Sequence, residues 1–325
     1  MNSNLDFLTG GDAKPYRVEV IDNQYLIQGD CLEVMQWLID NNVKVDAIIT
    51  DPPYQTTACA GDTLIPFNKH IMTTRGRSKK LIPMYEDEWA IRELETTDKS
   101  IHQCREEFNE QCQEGMWERL NELIKPNGAI VLFGSEPFSS ALRMSNIKNY
   151  KYDWIWEKTN PSNVMLSKKQ PLRYSENISV FYNKQCLYNP QMTEDDKDKR
   201  IRIGKEYNVA SGITEKTKSF VSKTHTPKLK YPKNIQKFKR NWSPQQQLHS
   251  SQKPVALIEY LIKTYTNENE LILDFTSGSG TTAVACENTN RRWICIEKDT
   301  DNEGNILGYC DITVDRLKEG GLTHE

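Results

Sequence analysis

The feature that most constrains the fold is a largely apolar run, Val45–Ile49, that leads into Asp51-Pro52-Pro53-Tyr54. An apolar run of this length predicts a strand buried on both faces, as in a parallel sheet covered by helices. Ligands of open α/β sheets bind outside the carboxyl ends of such strands. The sequence therefore predicts a functional site at Asp51.

The segment Asp51-Pro52-Pro53-Tyr54 combines an anionic acceptor, backbone carbonyls and an aromatic ring in a stiff tetrapeptide. Each proline fixes its own φ and has no N–H, so nearby carbonyls are left for other donors. Such a group can hold a planar base by its amino group while Tyr54 stacks on the ring. The alternative is that the prolines only end the strand and Tyr54 packs locally. This segment alone leaves both interpretations open.

The chain of 325 residues is long enough for one large domain or two small ones. Its mean hydropathy of −0.70 lies on the polar side for a globular protein. No apolar run approaches the length of a membrane span, and the N-terminal residues do not resemble a signal peptide. The eight cysteines include no Cys-x-x-Cys pair, so we expect neither a metal site nor a disulfide framework. These features predict an intracellular, cytoplasmic protein.

The net charge of −3 conceals a basic stretch, since residues 196–240 contain 14 Lys and Arg against 4 Asp and Glu. Aromatic residues are interleaved with these charges, which is typical of a surface that binds nucleic acid. We therefore expect a separate recognition module over residues 184–248. Its candidate DNA-binding residues are Lys228, Lys230, Lys233, Lys237 and Arg240. The alternative for the charges is a solvated, flexible basic loop without a partner. The aromatic residues could equally form the small core of the module.

Apolar runs and helical spacings alternate along the rest of the chain and predict an α/β protein that begins with a βαβ unit. The predicted strands are 25–30, 45–50, 129–133, 152–156, 177–182, 271–274 and 294–297, and the predicted helices are 31–38, 105–112, 116–124, 255–264 and 283–287. Asp30 ends the first strand and either binds the amino group of a ligand or caps the following helix. The polar stretch 55–113 is long enough to be an inserted lid.

A second motif follows the strand Leu271–Asp274, where Phe275-Thr276-Ser277-Gly278-Ser279-Gly280-Thr281-Thr282 leads into a helix. Glycines in such a turn let the backbone approach a ligand closely, and the helix start offers unpaired N–H groups. The turn lacks the lysine of a P-loop and the third glycine of a dinucleotide-binding fingerprint. Glu297 ends the next predicted strand and is placed to bind ribose hydroxyls. Taken alone, Glu297 could equally be a surface residue.

Together with Gln252-Lys253-Pro254, these two motifs resemble those of the S-adenosylmethionine-dependent amino-methyltransferases of DNA, and their order resembles the β group of that family. Segment 132–138 also resembles methylases carried by bacteriophages. The resemblance implies a Rossmann-like class I methyltransferase sheet with helices on both faces and a circularly permuted order of motifs. It implies a catalytic domain made of 1–54, 114–183 and 249–325, a lid region over 55–113 and a target-recognition region over 184–248.

The same resemblance implies roles for the motif residues. The catalytic residues would be Asp51, Pro52, Pro53 and Tyr54. The cofactor-binding residues would be Asp30, Cys31, Asp51, Gln252, Lys253, Asp274, Phe275, Thr276, Ser277, Gly278, Ser279, Gly280, Thr281 and Glu297. Asp30 would bind the adenine amino group of the cofactor, Glu297 its ribose, and the glycine turn its methionine end. Phe275-Thr276 replaces the more usual Pro-Phe, which changes a packing residue without removing a ligand.

The implied reaction is methylation of the N6 amino group of adenine in double-stranded DNA, after the base has been flipped out of the helix. The Asp-Pro-Pro-Tyr form favours adenine, and N4 of cytosine is the alternative. Methylation at cytosine C5 is not expected. Enzymes of that family use a nucleophilic cysteine that follows a proline, and none of the fourteen prolines here is followed by a cysteine. Two further alternatives are a non-catalytic DNA-binding protein that has kept the fold, and a methyltransferase that uses the same amino-group chemistry on RNA or protein. The resemblance also implies a bacterial or phage-infected host cell, a possible homodimer and a possible companion nuclease.

Overall fold

The computed structural model describes residues 3–9, 15–54, 65–74, 81–194, 229–239, 252–301 and 303–318. The chain divides into two compact units, one made of Met1–Asn189 with Asn234–Glu325 and one made of Pro190–Lys233. Within the described ranges, no helix is long and apolar enough to cross a membrane.

The large unit is built on a nine-stranded sheet in the order β1-β2-β13-β12-β3-β6-β8-β7-β11. The strands of the described chain are β1 Arg17–Ile21, β2 Gln24–Gln28, β3 Val45–Thr50, β4 His70–Thr74, β5 Leu81–Tyr85, β6 Ile124–Gly134, β7 Tyr150–Lys158, β8 Ser175–Phe181, β9 Thr193–Glu194, β10 Leu229–Lys230, β11 Ile235–Phe238, β12 Leu271–Asp274 and β13 Arg292–Glu297. A separate hairpin, β4-β5, also belongs to this unit. The small unit contains the antiparallel pair β9-β10.

Five neighbouring strands of the large sheet, β2, β13, β12, β3 and β6, run parallel. Strand β8 is antiparallel to both β6 and β7, so β7 runs in the same direction as β6. At the other edge, β1 pairs with β2 through a tight turn at Asp22 and Asn23, which both have positive φ. Asp and Asn tolerate this conformation better than most residues. The carboxyl ends of the central parallel strands therefore share one edge of the sheet.

The α-helices of the described chain are α1 Cys31–Asp40, α2 Glu86–Thr96, α3 Ile101–Gln111, α4 Met116–Leu123, α5 Phe138–Ser145, α6 Val255–Tyr265, α7 Thr281–Asn288 and α8 Tyr309–Lys318. All except α2 and α3 pack on the two faces of this sheet, whereas α2 packs against α3 and β5. Ile48 on β3 faces a core that includes α1, α4 and α5. Its neighbour Ile49 faces a second core that includes α6, α7 and α8. Because successive strand residues point to opposite faces, one apolar run supplies both cores. The predicted α/β fold, with helices on both faces, is confirmed.

The structure contains several elements that the sequence pattern did not predict. The stretch 55–113 was expected to hold one helix near 105–112, but its described part contains the β4-β5 hairpin and two helices, α2 and α3. Strands β1 and β11 and helices α5 and α8 were also missed. The helix-forming segments α2 and α3 are largely polar, so their apolar spacing is weak. Whether the stretch acts as a lid stays a prediction.

The basic stretch 196–240 is divided between the two units. Lys230 lies on β10, and Lys233 ends the small unit, whereas Lys237 lies on β11 of the large sheet. There β11 pairs in parallel with β7, and the Lys237 ammonium lies 3.1 Å from Glu157. Lys228 and Arg240 lie outside the described residues. Contact of these basic residues with DNA stays a prediction.

Candidate active site

The predicted site residues meet at the carboxyl edge of the parallel strands. Asp51 follows β3, Asp274 ends the adjacent strand β12, and Glu297 ends β13. Asp30 follows β2, whose end is joined to that of β13 by a 3.0 Å hydrogen bond from the Gly29 N–H to the Glu297 carbonyl. The sheet therefore brings together residues that lie at opposite ends of the chain.

Hydroxyl groups connect the Asp-Pro-Pro-Tyr segment to the glycine turn. Thr50 donates to Asp274 at 2.6 Å, and its hydroxyl also lies 2.7 Å from that of Thr276. The Thr276 hydroxyl in turn donates to the backbone carbonyl of Asp51 at 3.2 Å. The two motifs are thus joined directly, and Thr50 was not singled out by its sequence.

The Asp51 carboxylate contacts two side chains. One oxygen accepts a hydrogen bond from the Tyr54 hydroxyl and the other from the Lys253 ammonium. Burial raises the pKa of Asp51, and the nearby Lys253 opposes that rise. Burial would lower the pKa of Lys253, but the charges of Asp51 and Glu176 outweigh it and raise that pKa. Lys253, predicted as a cofactor residue, therefore lies against the predicted catalytic carboxylate.

Behind Lys253 lies a second buried ion pair that sequence analysis missed. The Glu176 carboxylate has one oxygen 3.4 Å from the Lys253 ammonium, and its other oxygen accepts a 3.0 Å hydrogen bond from Lys158. Burial alone would raise the pKa of Glu176, but Lys253 and Lys158 outweigh it and lower the pKa. Glu176 and Lys158 lie on the paired strands β8 and β7, and no local motif distinguishes them from other charged strand residues.

The Tyr54 ring is half-buried and lies beside aromatic and cationic groups. Its centroid is 5.0 Å from that of Phe138, with an interplanar angle of 34°. The Lys253 ammonium lies 5.8 Å from the Tyr54 centroid and 5.3 Å from that of Phe133. Pro52, in the same segment, is buried. Tyr54 is therefore positioned by packing as well as by its bond to Asp51.

The glycine turn is held by helix α8. Gly280 has a φ of 76°, and a Cβ there would lie 2.3 Å from Thr313 Cγ2, so only glycine fits. The buried Arg316 guanidinium donates to the Ser279 carbonyl and lies 3.4 Å from the Thr281 hydroxyl. Thr313 and Arg316 were not predicted, since α8 itself was missed.

Two predicted cofactor residues, Asp274 and Phe275, serve the structure of the turn. The Asp274 carboxylate accepts hydrogen bonds from the Thr50 and Thr282 hydroxyls and, at 3.1 Å, from the Thr276 N–H. Burial raises the pKa of Asp274 to about 6. The Phe275 side chain is fully buried in the core. Contact of Asp274 and Phe275 with the cofactor stays a prediction.

The other predicted cofactor residues surround the turn. Glu297 accepts a 2.7 Å hydrogen bond from the Gly278 N–H, and burial raises the pKa of Glu297 to about 7. Asp30 caps helix α1 by accepting from the Leu32 N–H at 3.0 Å, which confirms the capping interpretation. Cys31 is buried at the start of that helix, and burial raises the pKa of its thiol. Gln252, next to Lys253, is also buried.

The glycine turn fits a polar ligand. Among the residues that the structure describes, the buried Ser277 hydroxyl has no hydrogen-bond partner. Buried polar groups in folded proteins are usually paired, so an unpaired hydroxyl in a turn indicates a missing ligand. The Glu297 carboxylate lies beside this turn, and a carboxylate at such a strand end can accept hydrogen bonds from ligand hydroxyls such as those of a ribose.

Comparison with known proteins identifies the family. Residues 45–303 match the family described as DNA methylase (N6_N4_Mtase). This region includes Asp51, Lys253, the glycine turn and Glu297. The chain belongs to this family of S-adenosylmethionine-dependent DNA methyltransferases.

Curated relatives are similar over nearly their whole length. The type II methyltransferase M2.MboI of Moraxella bovis is 25% identical over 297 residues, which cover 89% of this chain and 88% of the relative. The type II methyltransferase M2.LlaDCHI of Lactococcus lactis subsp. cremoris is 24% identical over 319 residues, which cover 95% of this chain and 93% of the relative. Among solved structures, the S-adenosylmethionine complex of M1.HpyAVI is 22% identical, with a TM-score of 0.49 and coverage of 90% of this chain and 98% of that chain.

Proposed function

We propose that this protein transfers a methyl group from S-adenosylmethionine to the N6 amino group of adenine in DNA. The observation that carries the proposal is the contact between the two motifs. The Asp51 backbone carbonyl accepts from Thr276 of the glycine turn, so the base-binding carboxylate and the cofactor turn are held next to each other. A reaction between two bound groups needs this kind of fixed proximity.

Asp51 and Pro52 are the residues that act on the amino group. An exocyclic amino nitrogen is a weak nucleophile because its lone pair is delocalised into the ring. The Asp51 carboxylate and the Pro52 carbonyl accept its two N–H bonds and draw the nitrogen toward a tetrahedral arrangement, which frees the lone pair. Bound S-adenosylmethionine supplies the electrophilic methyl group. As the new N–C bond forms, the bond between the sulfonium sulfur and the methyl carbon breaks, and S-adenosylhomocysteine is the leaving group. One amino proton leaves the nitrogen, and Asp51 is placed to accept it.

The cofactor is assigned to the glycine turn and the strand ends beside it. Glu297 holds the ribose hydroxyls, and the free oxygen lone pairs of Asp30 accept from the adenine amino group while Asp30 also caps α1. The Ser277 hydroxyl and the Gly278–Gly280 backbone hold the methionine end. Gln252 closes the pocket on the side of Lys253.

The base is assigned to the ring of Tyr54. The target nitrogen is unreachable inside a stacked duplex, so the adenine is flipped out and stacks on Tyr54. The Phe138 ring, 5.0 Å from Tyr54, supports this stacking surface from within the protein. The basic residues Lys228, Lys230, Lys233, Lys237 and Arg240 are assigned to the DNA phosphates.

Cytosine N4 is the second candidate, because the matched family includes both amino-methylation activities. The aspartate at position 51 supports adenine, since the resemblance associates serine there with cytosine N4. Relatives named type II methyltransferases support a restriction-modification role with a companion nuclease.

The test is transfer of labelled methyl from S-adenosylmethionine to duplex DNA, followed by mass spectrometry of the released nucleosides. N6-methyladenine is the expected product. If the product were N4-methylcytosine, the proposed mechanism would stand, but the target base would be cytosine. Absence of product on duplex DNA, single-stranded DNA and RNA would replace the proposal with a non-catalytic DNA-binding role.

A further inference from the structure

The buried Lys253 side chain lies between two half-buried carboxylates, those of Asp51 and Glu176. Its ammonium donates to Asp51 and lies 3.4 Å from Glu176 Oε2. Within the described residues, Glu176 Oε2 accepts no hydrogen bond. Glu176 therefore offers a buried acceptor close to the cation that occupies the Asp51 carboxylate.

The Asp51 carboxylate must accept hydrogen bonds from the base when the base binds. Both Asp51 oxygens already accept hydrogen bonds, one from Tyr54 and one from Lys253. An incoming amino group brings further N–H donors to the same oxygens. Moving the ammonium away from Asp51 weakens the attraction between these two charges, which is strong in a site screened from water. A second carboxylate beside Lys253 offsets part of this loss.

Glu176 is itself fixed in place. Its Oε1 accepts a 3.0 Å hydrogen bond from Lys158, whose ammonium also donates to the Ser162 hydroxyl at 3.0 Å. The Lys158 side chain is only 1% exposed, so solvent screens this pair weakly. Strands β7 and β8, which carry the two residues, are directly paired, and Trp156 on β7 lies opposite Glu176. Lys158 thus holds one oxygen of Glu176 and leaves the other facing Lys253.

We propose that Glu176 is a positioning residue of the transfer reaction: its carboxylate, fixed by Lys158, takes over the Lys253 ammonium when the target amino group binds Asp51. The shift needs only a small movement of a flexible lysine side chain. Each of the two lysines keeps a carboxylate partner before and after the base enters, and the Asp51 carboxylate exchanges the ammonium for the N–H donor of the base. The inference rests on the proposed methyl transfer and concerns how Asp51 becomes accessible to its substrate.

The test is the single-turnover rate of methyl transfer to duplex DNA at saturating cofactor and DNA. Glu176→Gln keeps the shape of the side chain but removes the charge that receives Lys253. We expect a rate roughly 30- to 100-fold lower, the scale of a small misplacement of a reacting group. Affinity for S-adenosylmethionine should stay within about threefold, because Glu176 acts on the base side of the site. An unchanged rate would overturn the proposal.

A double-mutant cycle separates positioning from simple destabilisation. If Glu176 acts through Lys253, adding Glu176→Gln to Lys253→Gln should slow the reaction no further. Independent, multiplicative losses would reject the role. Should Lys253→Gln fall below detection, Glu176→Asp provides the second measurement. That variant keeps the negative charge. On a logarithmic scale, it should recover at least a third of the rate that is lost between the wild type and Glu176→Gln. A rate equal to that of Glu176→Gln would also reject the proposal.

A matched control is Glu259→Gln on α6. Glu259 is a buried glutamate that accepts from Asn288 at 2.8 Å and belongs to no part of the proposed site. This variant should lose thermal stability with little change in the transfer rate. A wild-type protein that makes no labelled product would contradict the proposed function itself. An active wild type whose Glu176 variants match Glu259→Gln would contradict only the role of Glu176.

Discussion

The base-binding end of the site and the glycine turn are neighbours on one sheet edge, yet different contacts hold them in place. Asp51 is held by a buried ion pair with Lys253, which is shared with Glu176. Asp274 and the turn are held by threonine hydroxyls, and Arg316 donates to the turn backbone. An ammonium on a flexible stem can change partners more easily than a backbone turn packed against Thr313 can move. We therefore expect the proposed base-binding end to be adaptable and the proposed cofactor end to be rigid.

The largest expected effect comes from the adaptable end. Asp51→Asn keeps the side-chain shape but removes the charge that holds the amino group and accepts its proton. We expect transfer to fall by roughly 10³-fold, the scale of losing a key electrostatic group in an active site. Affinity for S-adenosylmethionine, measured by calorimetry, should change only a few-fold.

The control for this variant is Asp46→Asn on the same strand. Asp46 accepts from Lys125 at 2.6 Å and from the Leu271 N–H at 2.9 Å, away from the carboxyl edge. It should lose stability but keep the transfer rate. Near-normal turnover by Asp51→Asn would show that the base is held elsewhere.

At the glycine turn, we expect added side-chain volume to lower the stability of the protein. Gly280→Ala places a methyl group at positive φ and 2.3 Å from Thr313 Cγ2. We expect a loss of about 2–4 kcal/mol in the free energy of unfolding, because the left-handed strain and the overlap add together. Thermal or denaturant unfolding measures this loss, and cofactor affinity should fall with it.

Gly304→Ala is the matched control, since Gly304 has a φ of 86° and nothing within 4 Å of its Cβ position. It should lose only the backbone contribution, about 1–2 kcal/mol. Combining Gly280→Ala with Thr313→Ala should recover part of the difference. If Gly280→Ala and Gly304→Ala lost the same free energy of unfolding, α8 would not confine the turn.

A smaller, pH-dependent effect is expected at Glu297. Its pKa is raised to about 7 by burial. Ribose hydroxyls donate to the ionised carboxylate, so cofactor affinity should rise about tenfold between pH 6 and pH 8. Titration calorimetry in wild-type protein measures this slope. Without cofactor the sign is reversed, because a carboxyl pKa raised by folding stabilises the protein at low pH and loses that stabilisation as pH rises through 7.

Glu297→Gln separates these two effects. The variant should bind cofactor more weakly at pH 8 but with an affinity nearly independent of pH. Its thermal stability should also vary less between pH 5 and pH 8 than that of the wild type. A wild-type affinity without pH dependence would argue against ribose binding by Glu297.

The smallest effect concerns the basic stretch, which belongs to neither end of the site. Replacing Lys230 and Lys233 with Ala should weaken DNA binding and reduce the slope of log affinity against log salt by about 2, because each lysine neutralises one phosphate. Replacing the exposed Lys148 and Lys184 is the control, because these residues precede β7 and follow β8, at the sheet edge opposite the site. If the two double variants had the same slope of log affinity against log salt, Lys230 and Lys233 would not contact the DNA.

The sequence by itself determined the features that depend on local chemistry. The apolar run before Asp51 predicted β3 with its observed bounds, because a strand buried on both faces needs continuous apolar side chains. The small residues around Gly278 and Gly280 predicted a tight turn, and both have positive φ. The family likewise followed from short motifs whose residue types are set by their chemistry.

Only the tertiary structure decided which residues complete the site. Lys253, just before α6, reaches Asp51 across 202 positions. Thr276 reaches it across 225, because β12, which Thr276 follows, lies beside β3 in the sheet. Glu176 and Arg316 carry charges on elements whose local sequence gives no sign of a partner. Their roles arise from burial, since a charge removed from water must find its counterpart in space, and that counterpart is set by the order of strands and not by the order of residues.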